Sequence, residues 1–244
     1  MKHILTTAFL LISLTTFAQE RLPQERLPQV PKGAWKSQEP TGSASTLIVV
    51  DNYMVIASYS IGNKYFERTE GGPFTMNGNK MTYTPEFNSA DTAKIGIPIE
   101  FTVTVKDDIL TLRYEEAMVW MRVDDATSNA PMAGAWHITE RDNGQGTLVK
   151  IHQEGTRKTL KLLSKTRFQW FAIDPAVKKF YATGGGTYTA KDGKYTENIQ
   201  FFSKDNNRVG SSLKFDFKLD NGRWDHSGKS SDGKPVHEIW EKIP

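Results

Sequence analysis

Gly33-Ala34-Trp35 recurs as Gly134-Ala135-Trp136, and from those two points the chain passes the same landmarks twice. Phe74-Thr75 follows Gly71-Gly72 and precedes Asn77-Gly78; Tyr188-Thr189 follows Gly184-Gly185-Gly186 and precedes Asp192-Gly193. The stretch Phe101-Thr102-Val103-Thr104-Val105-Lys106-Asp107-Asp108 aligns without a gap on Phe215-Asp216-Phe217-Lys218-Leu219-Asp220-Asn221-Gly222. The copies end on Val119-Trp120-Met121-Arg122 and Ile239-Trp240-Glu241-Lys242. A repeat of roughly 100 residues is too long for a solenoid unit and about the size of a domain. The chain therefore reads as two homologous domains in tandem, 33–124 and 134–244, with a linker over 125–133 short enough for them to touch.

Inside each copy the pattern is strand after strand. The runs 46–56, 80–83, 99–105, 109–114, 147–152, 159–163, 195–202 and 213–219 carry β-branched and aromatic residues at period two. Asn63, Asn77-Gly78, Asp107-Asp108, Asp192-Gly193, Asn221-Gly222 and Asp232-Gly233 punctuate them as turns. The best helical candidate is one turn over 175–179, with Asp174 as its N-cap. Seven or eight short antiparallel strands per copy mean an all-β fold, either a sandwich or an up-and-down barrel.

The residues at the ends of each copy resemble the lipocalin-like, or calycin, group of up-and-down barrels. Gly33, Trp35 and Arg122 match that group's Gly-x-Trp and C-terminal cation, as do Gly134, Trp136 and Lys242. The resemblance implies that each tryptophan closes a barrel base with the cation packed across it. The run 183–189, with Gly193-Lys194-Tyr195-Thr196-Glu197, is similar to lipocalin-like domains of uncharacterised bacterial secreted proteins.

At the N-terminus, Lys2-His3 precedes an apolar stretch from Ile4 to Phe17 that is too short to span a bilayer, and Thr16-Phe17-Ala18 supplies small residues for cleavage. This reads as a signal peptide over 1–18, so the expected location is secreted or periplasmic. No cysteine follows to take a lipid, and no later segment is apolar enough for a membrane span. Two copies of Glu-Arg-Leu-Pro-Gln make 19–32 an extended tether. With no cysteine at all, disulfides and thiolate chemistry are excluded, and each domain must live on its own core. The first copy holds 8 basic against 12 acidic residues and the second 19 against 13. The basic residues are spread among strands rather than gathered in a stripe, which argues against nucleic-acid binding.

Period two also sorts faces. In the first copy Phe101, Val103, Val105, Leu110, Leu112 and Tyr114 take the core-facing parity, and Met118 and Trp120 fall in register with Arg122, so the first lumen reads as apolar. In the second copy the matching parity holds Phe215, Phe217, Leu219, Trp224, His226, Glu238 and Trp240, joined by Tyr195, Glu197, Ile199 and Phe201. Two carboxylates and a histidine thus enter a lumen of aromatics, where charge is costly unless paired or wet. Trp170, Tyr188, Tyr195, Glu197, Trp224, His226, Glu238 and Trp240 form the candidate site for a small amphiphilic or polar ligand. The bland alternative has the acids at the mouth in water, or paired with Lys242 or Arg223.

Two further classes compete with binding. A hydrolase or isomerase could use Glu197, Glu238 and His226 as acid and base. An interaction module would have both barrels filled solid and work through its outer surface. His137, His152, His226 and His237 show no His-x-His or His-Glu-x-x-His spacing, so no metal and no other cofactor is expected. The serine pairs 211–212 and 230–231 have no nucleophile arrangement. The triple glycine precedes a strand rather than a helix, which favours a bulge over a phosphate loop.

Overall fold

The computed structural model describes residues 31–38, 43–125 and 130–243. The expected signal peptide and most of the tether lie outside the described residues. The first copy contains β1 (Gly33–Gln38), β2 (Ala44–Val50), β3 (Tyr53–Ser60), β4 (Tyr65–Asn77), β5 (Lys80–Tyr83), β6 (Phe87–Asn88), β7 (Ile99–Lys106), β8 (Ile109–Arg113) and β9 (Ala117–Asp124). The second contains β10 (Gly134–Asp142), β11 (Leu148–Lys150), β12 (Lys158–Leu163), β13 (Arg167–Asp174), β14 (Lys179–Lys191), β15 (Lys194–Phe202), β16 (Ser212–Asp220), β17 (Arg223–Lys229) and β18 (Pro235–Lys242). Each set closes into an eight-stranded antiparallel barrel, the first through β1–β9 and β3–β4, the second through β10–β18. Closure removes the sheet edges that an open sheet would expose. The short β6 and β11 are annexed to β4 and β10.

Tight turns hold the meander together. Asp107 and Asp108 both take left-handed backbone, as do Asp192-Gly193 and Asn221-Gly222, which matches the twist of the strands they join. Two expectations need correction. The run 46–56 is two strands, because Asp51, also left-handed, turns the chain at Asp51-Asn52. The segment after Asp174 is a plain turn closed by the Lys178 amide on the Pro175 carbonyl, and single 3-10 turns occur instead at Thr92–Lys94 and Asn206–Arg208.

Each base is plugged as the Gly-x-Trp pattern predicts. Trp35 and Trp136 are buried, and each indole donates to a carbonyl four residues back, at Pro31 (2.8 Å) and Met132 (2.9 Å). The Arg122 guanidinium lies 4.0 Å from the Trp35 ring centre, and the Lys242 ammonium lies 5.8 Å from that of Trp136. The first lumen is filled by apolar side chains around Trp35, Met54, Met81, Phe101, Leu110 and Trp120. Val105, Met118 and Tyr114, expected to face this core, are exposed: Val105 and Met118 stand one residue from a strand end, and Tyr114 lies just past β8.

The barrels lie side by side on a shared apolar seam. Ile48, Val50, Tyr53, Val55 and Phe87 of the first pack against Leu160, Leu162, Phe171 and Ile173 of the second. This explains the unbroken apolar run Leu47 to Val50 on β2, where one face lines a lumen and the other the seam; on β12 Leu160 and Leu162 take the seam face. Phe201 belongs to the seam as well, against Ala57 and Tyr59, and not to the lumen as its parity suggested. A bulge between Gly185 and Gly186 shifts the register opposite Gln200 and exchanges the faces beyond it, so Phe202 points inward instead. The same glycine run thus provides the bulge expected of it.

The seam maps onto itself when the copies are exchanged. Register makes Phe66 the counterpart of Phe180 and Phe87 the counterpart of Phe201. Phe66 stacks on Phe180 at 6.5 Å, and the two crossed pairs, Phe66–Phe201 and Phe87–Phe180, have the same 6.2 Å separation. Such reciprocity is the mark of a two-fold interface.

Candidate functional site

Paired registers let the two lumens be compared position by position. Opposite the plugging tryptophan stands Leu47 in the first barrel and Lys161 in the second. Opposite Phe74 stands Tyr83, and opposite the equivalent Tyr188 stands Glu197. Leu112 pairs with Met118 where His226 pairs with Glu238. The polar residues of the second lumen are therefore concentrated at positions that are non-ionic in the first.

These side chains converge inside the second barrel. The Lys161 ammonium, 4% exposed, donates to Glu197 Oε1 at 2.9 Å and lies within 6 Å of the rings of Trp240 (4.8 Å), Trp224 (4.9 Å), Tyr195 (5.5 Å) and Phe168 (5.9 Å). Arg141 reaches in from β10 and donates through Nε and Nη2 to Glu238 Oε1 at 3.1 and 2.8 Å. The Trp240 indole donates to Glu238 Oε2 at 3.1 Å, and His226 Nδ1 stands 3.5 Å from the same oxygen. Both nitrogens of the buried His226 ring lack a hydrogen-bond partner, as do the Tyr195 hydroxyl and the Trp224 indole.

Burial holds the His226 imidazole below its ordinary range, with Lys161 adding to the effect and Glu238 and Glu197 opposing it. Burial alone would raise Glu238, but His226, Arg141 and Lys161 outweigh it and hold the carboxyl at about 2. Glu238 is thus an anion and His226 a neutral ring at neutral pH. The Tyr195 hydroxyl is pushed up by burial and by Glu197.

Above this layer the barrel opens into a cavity of about 510 Å³. Its floor is Lys161, Glu197, His226, Glu238 and Trp240; Trp170, Phe202, Leu213 and Val236 form an apolar collar. Of the eight residues expected to bind ligand, Trp170, Glu197, His226, Glu238 and Trp240 line the cavity. Tyr188, Tyr195 and Trp224 face the lumen but lie deeper, in the packed base, where the Tyr188 hydroxyl donates to the Ser164 carbonyl at 2.6 Å. The acids take neither partner suggested by sequence: Arg223 engages Glu140 and Glu241, and Lys242 covers Trp136. Sequence reasoning missed Lys161 and Arg141, and Arg157, an exposed residue that also lines the cavity. Aligning Leu47 with Lys161 across the paired tryptophans would have exposed the first of them.

Residues 131–244 match the model of a family described as Domain of unknown function (DUF4488). No curated protein matches the chain. Among solved structures, an uncharacterized protein from Bacteroides eggerthii DSM 20697 is similar at 14% identity over 46% of this chain and 98% of that one, with a TM-score of 0.32.

Proposed function

We propose that this is an exported, non-enzymatic binding protein of lipocalin-like architecture that holds a small amphiphilic or polar ligand in the lumen of the second barrel. The cavity above a charged floor carries this reading, because a buried ion pair is costly and contributes little to stability where apolar residues fit. The first barrel carries the uncharged Leu47, Tyr83, Leu112 and Met118 at the same positions. About 510 Å³ lies within the range of small-molecule pockets.

The catalytic alternative would use Glu197, Glu238 and His226. Each acid is already engaged, Glu197 by Lys161 and Glu238 by Arg141 and Trp240, and neither His226 nitrogen is accessible. That arrangement favours holding a ligand over moving its protons.

Trp170 and Trp240 make the cavity self-reporting, so titrating the full chain with a small-molecule panel should change its tryptophan fluorescence. Ala172→Phe, which fills the upper cavity, should abolish the change. A panel without a single responder, or a response indifferent to Ala172→Phe, rejects luminal binding. Glu238→Gln then separates the classes: a binder loses part of its affinity, whereas an acid or base catalyst loses nearly all turnover.

A further inference from the structure

The lumen is layered. Lys242 over Trp136 marks the base, and on β18 Trp240, Glu238 and Val236 climb from there toward the mouth. On β15 Tyr195 lies in the packed base, Glu197 at the floor of the cavity and Phe202 in the collar. A ligand filling this space would meet the charged layer with its inner end and the apolar collar with the rest.

The charges of that layer are matched in pairs, Lys161 with Glu197 and Arg141 with Glu238, while His226 is neutral. An anionic inner end would approach two carboxylates, and a cationic one would approach Lys161 and Arg141. An uncharged group that both donates and accepts meets no such opposition. Lys161 makes one hydrogen bond among the described residues, to Glu197, and an ammonium carries three N–H donors. Neutral His226 lines the same floor and adds no charge to it, its ring nitrogens being sealed from the cavity. Spare donors on a cation whose charge Glu197 already matches call for a hydrogen-bonding head without net charge.

From this we infer that the second barrel takes amphiphiles head first and selects an uncharged, hydrogen-bonding head group, such as an alcohol or a primary amide, against carboxylates and ammoniums sharing the same apolar body. The inference rests on the luminal binding reading and adds a specificity to it.

The test uses octanol, octanamide, octanoate and octylamine on the full chain at pH 7, followed by tryptophan fluorescence and calorimetry. Octanamide and octanol should bind at least about tenfold more tightly than either charged probe. Octanoate or octylamine matching the neutral pair overturns the selectivity while leaving luminal binding intact. Failure of all four to bind counts against both readings. Two variants turn the argument round. Glu197→Gln leaves Lys161 uncompensated and should shift preference toward octanoate. Lys161→Met leaves Glu197 uncompensated and should shift it toward octylamine. Folding of each variant is checked by circular dichroism, and the wild-type series decides the matter even if one fails to fold. Folded variants that keep the wild-type order of preference overturn the assignment of selectivity to this layer.

Discussion

Trp136 illustrates what a single side chain does here. It is 2% exposed, its indole is satisfied by Met132, and it meets Trp224 edge-on at 5.6 Å. Trp136→Ala should therefore destabilise the second barrel by about 3–5 kcal/mol in urea unfolding. Lys242→Met should cost much less, since its stem still covers the ring. Equal stability of Trp136→Ala and wild type would remove the plug argument. A second residue-scale effect is pH. The folded values of His226 and Glu238 both lie below their ordinary 6.5 and 4.5, so the unfolded chain binds these protons first and folding stability falls as pH drops below about 6.5. The His226 share is lost first and the Glu238 share further down, toward pH 2. His152, held low by burial and by Arg157 and Arg141, acts in the same direction. Melting temperatures between pH 7.5 and 4.5 should fall less steeply in His226→Leu, the residue type that Leu112 supplies in the first barrel. Parallel curves for the two proteins would contradict this.

At the scale of elements, much was legible because the strands alternate and the turns are chemically marked. Glu197, His226 and Glu238 were placed in the lumen by parity alone, and they are there. Depth was not legible: period two gives the face of a strand but not the layer, so Tyr195 and Trp224 shared the parity of the floor residues while belonging to the base. Lys161 was hidden because Leu160 and Leu162, its neighbours on β12, are buried in the seam: the alternation is intact, but its apolar phase faces the other barrel, so Lys161 occupies the phase that reads as outward. Phe201 was misplaced by one bulge. That bulge depends on glycine: a Cβ on Gly186 would stand 2.0 Å from the Asn198 carbonyl oxygen, and one on the equivalent Gly72 would stand 2.0 Å from that of Thr84. Gly186→Ala should thus destabilise markedly or prevent folding. Gly62→Ala, with nothing within 4 Å, should stay within about 0.5 kcal/mol of wild type. Chemical denaturation of both variants checks the contrast, and a tolerated Gly186→Ala would refute it.

For the whole molecule, the seam is what the repeat did not disclose. Duplication predicted two cores, and the structure adds a third between them, with polar links such as Gln169 Nε2 donating to Thr69 Oγ1 at 2.8 Å and Lys158 bridging to Glu86 at 2.8 Å. Fragments 33–124 and 134–244 made separately would each expose a face of this core. They should be less stable apart than together, and should bind each other when mixed. The full chain should unfold in one transition, and Phe171→Ala, which removes a ring packed on Phe87 at 4.7 Å and Tyr53 at 5.8 Å, should split it into two. Scanning calorimetry showing two independent transitions in wild type would mean that the seam does not couple the barrels.

The reciprocity of Phe66 with Phe180, and of their crossed partners, reaches further than stability. A surface that meets its own counterpart is one that a lone barrel could have used to bind another copy of itself, and fusion makes such a dimer immune to dilution. It also frees the halves from being identical. One half can remain a brace with a close-packed apolar interior, while its twin gives up tight packing for an open, charged cup.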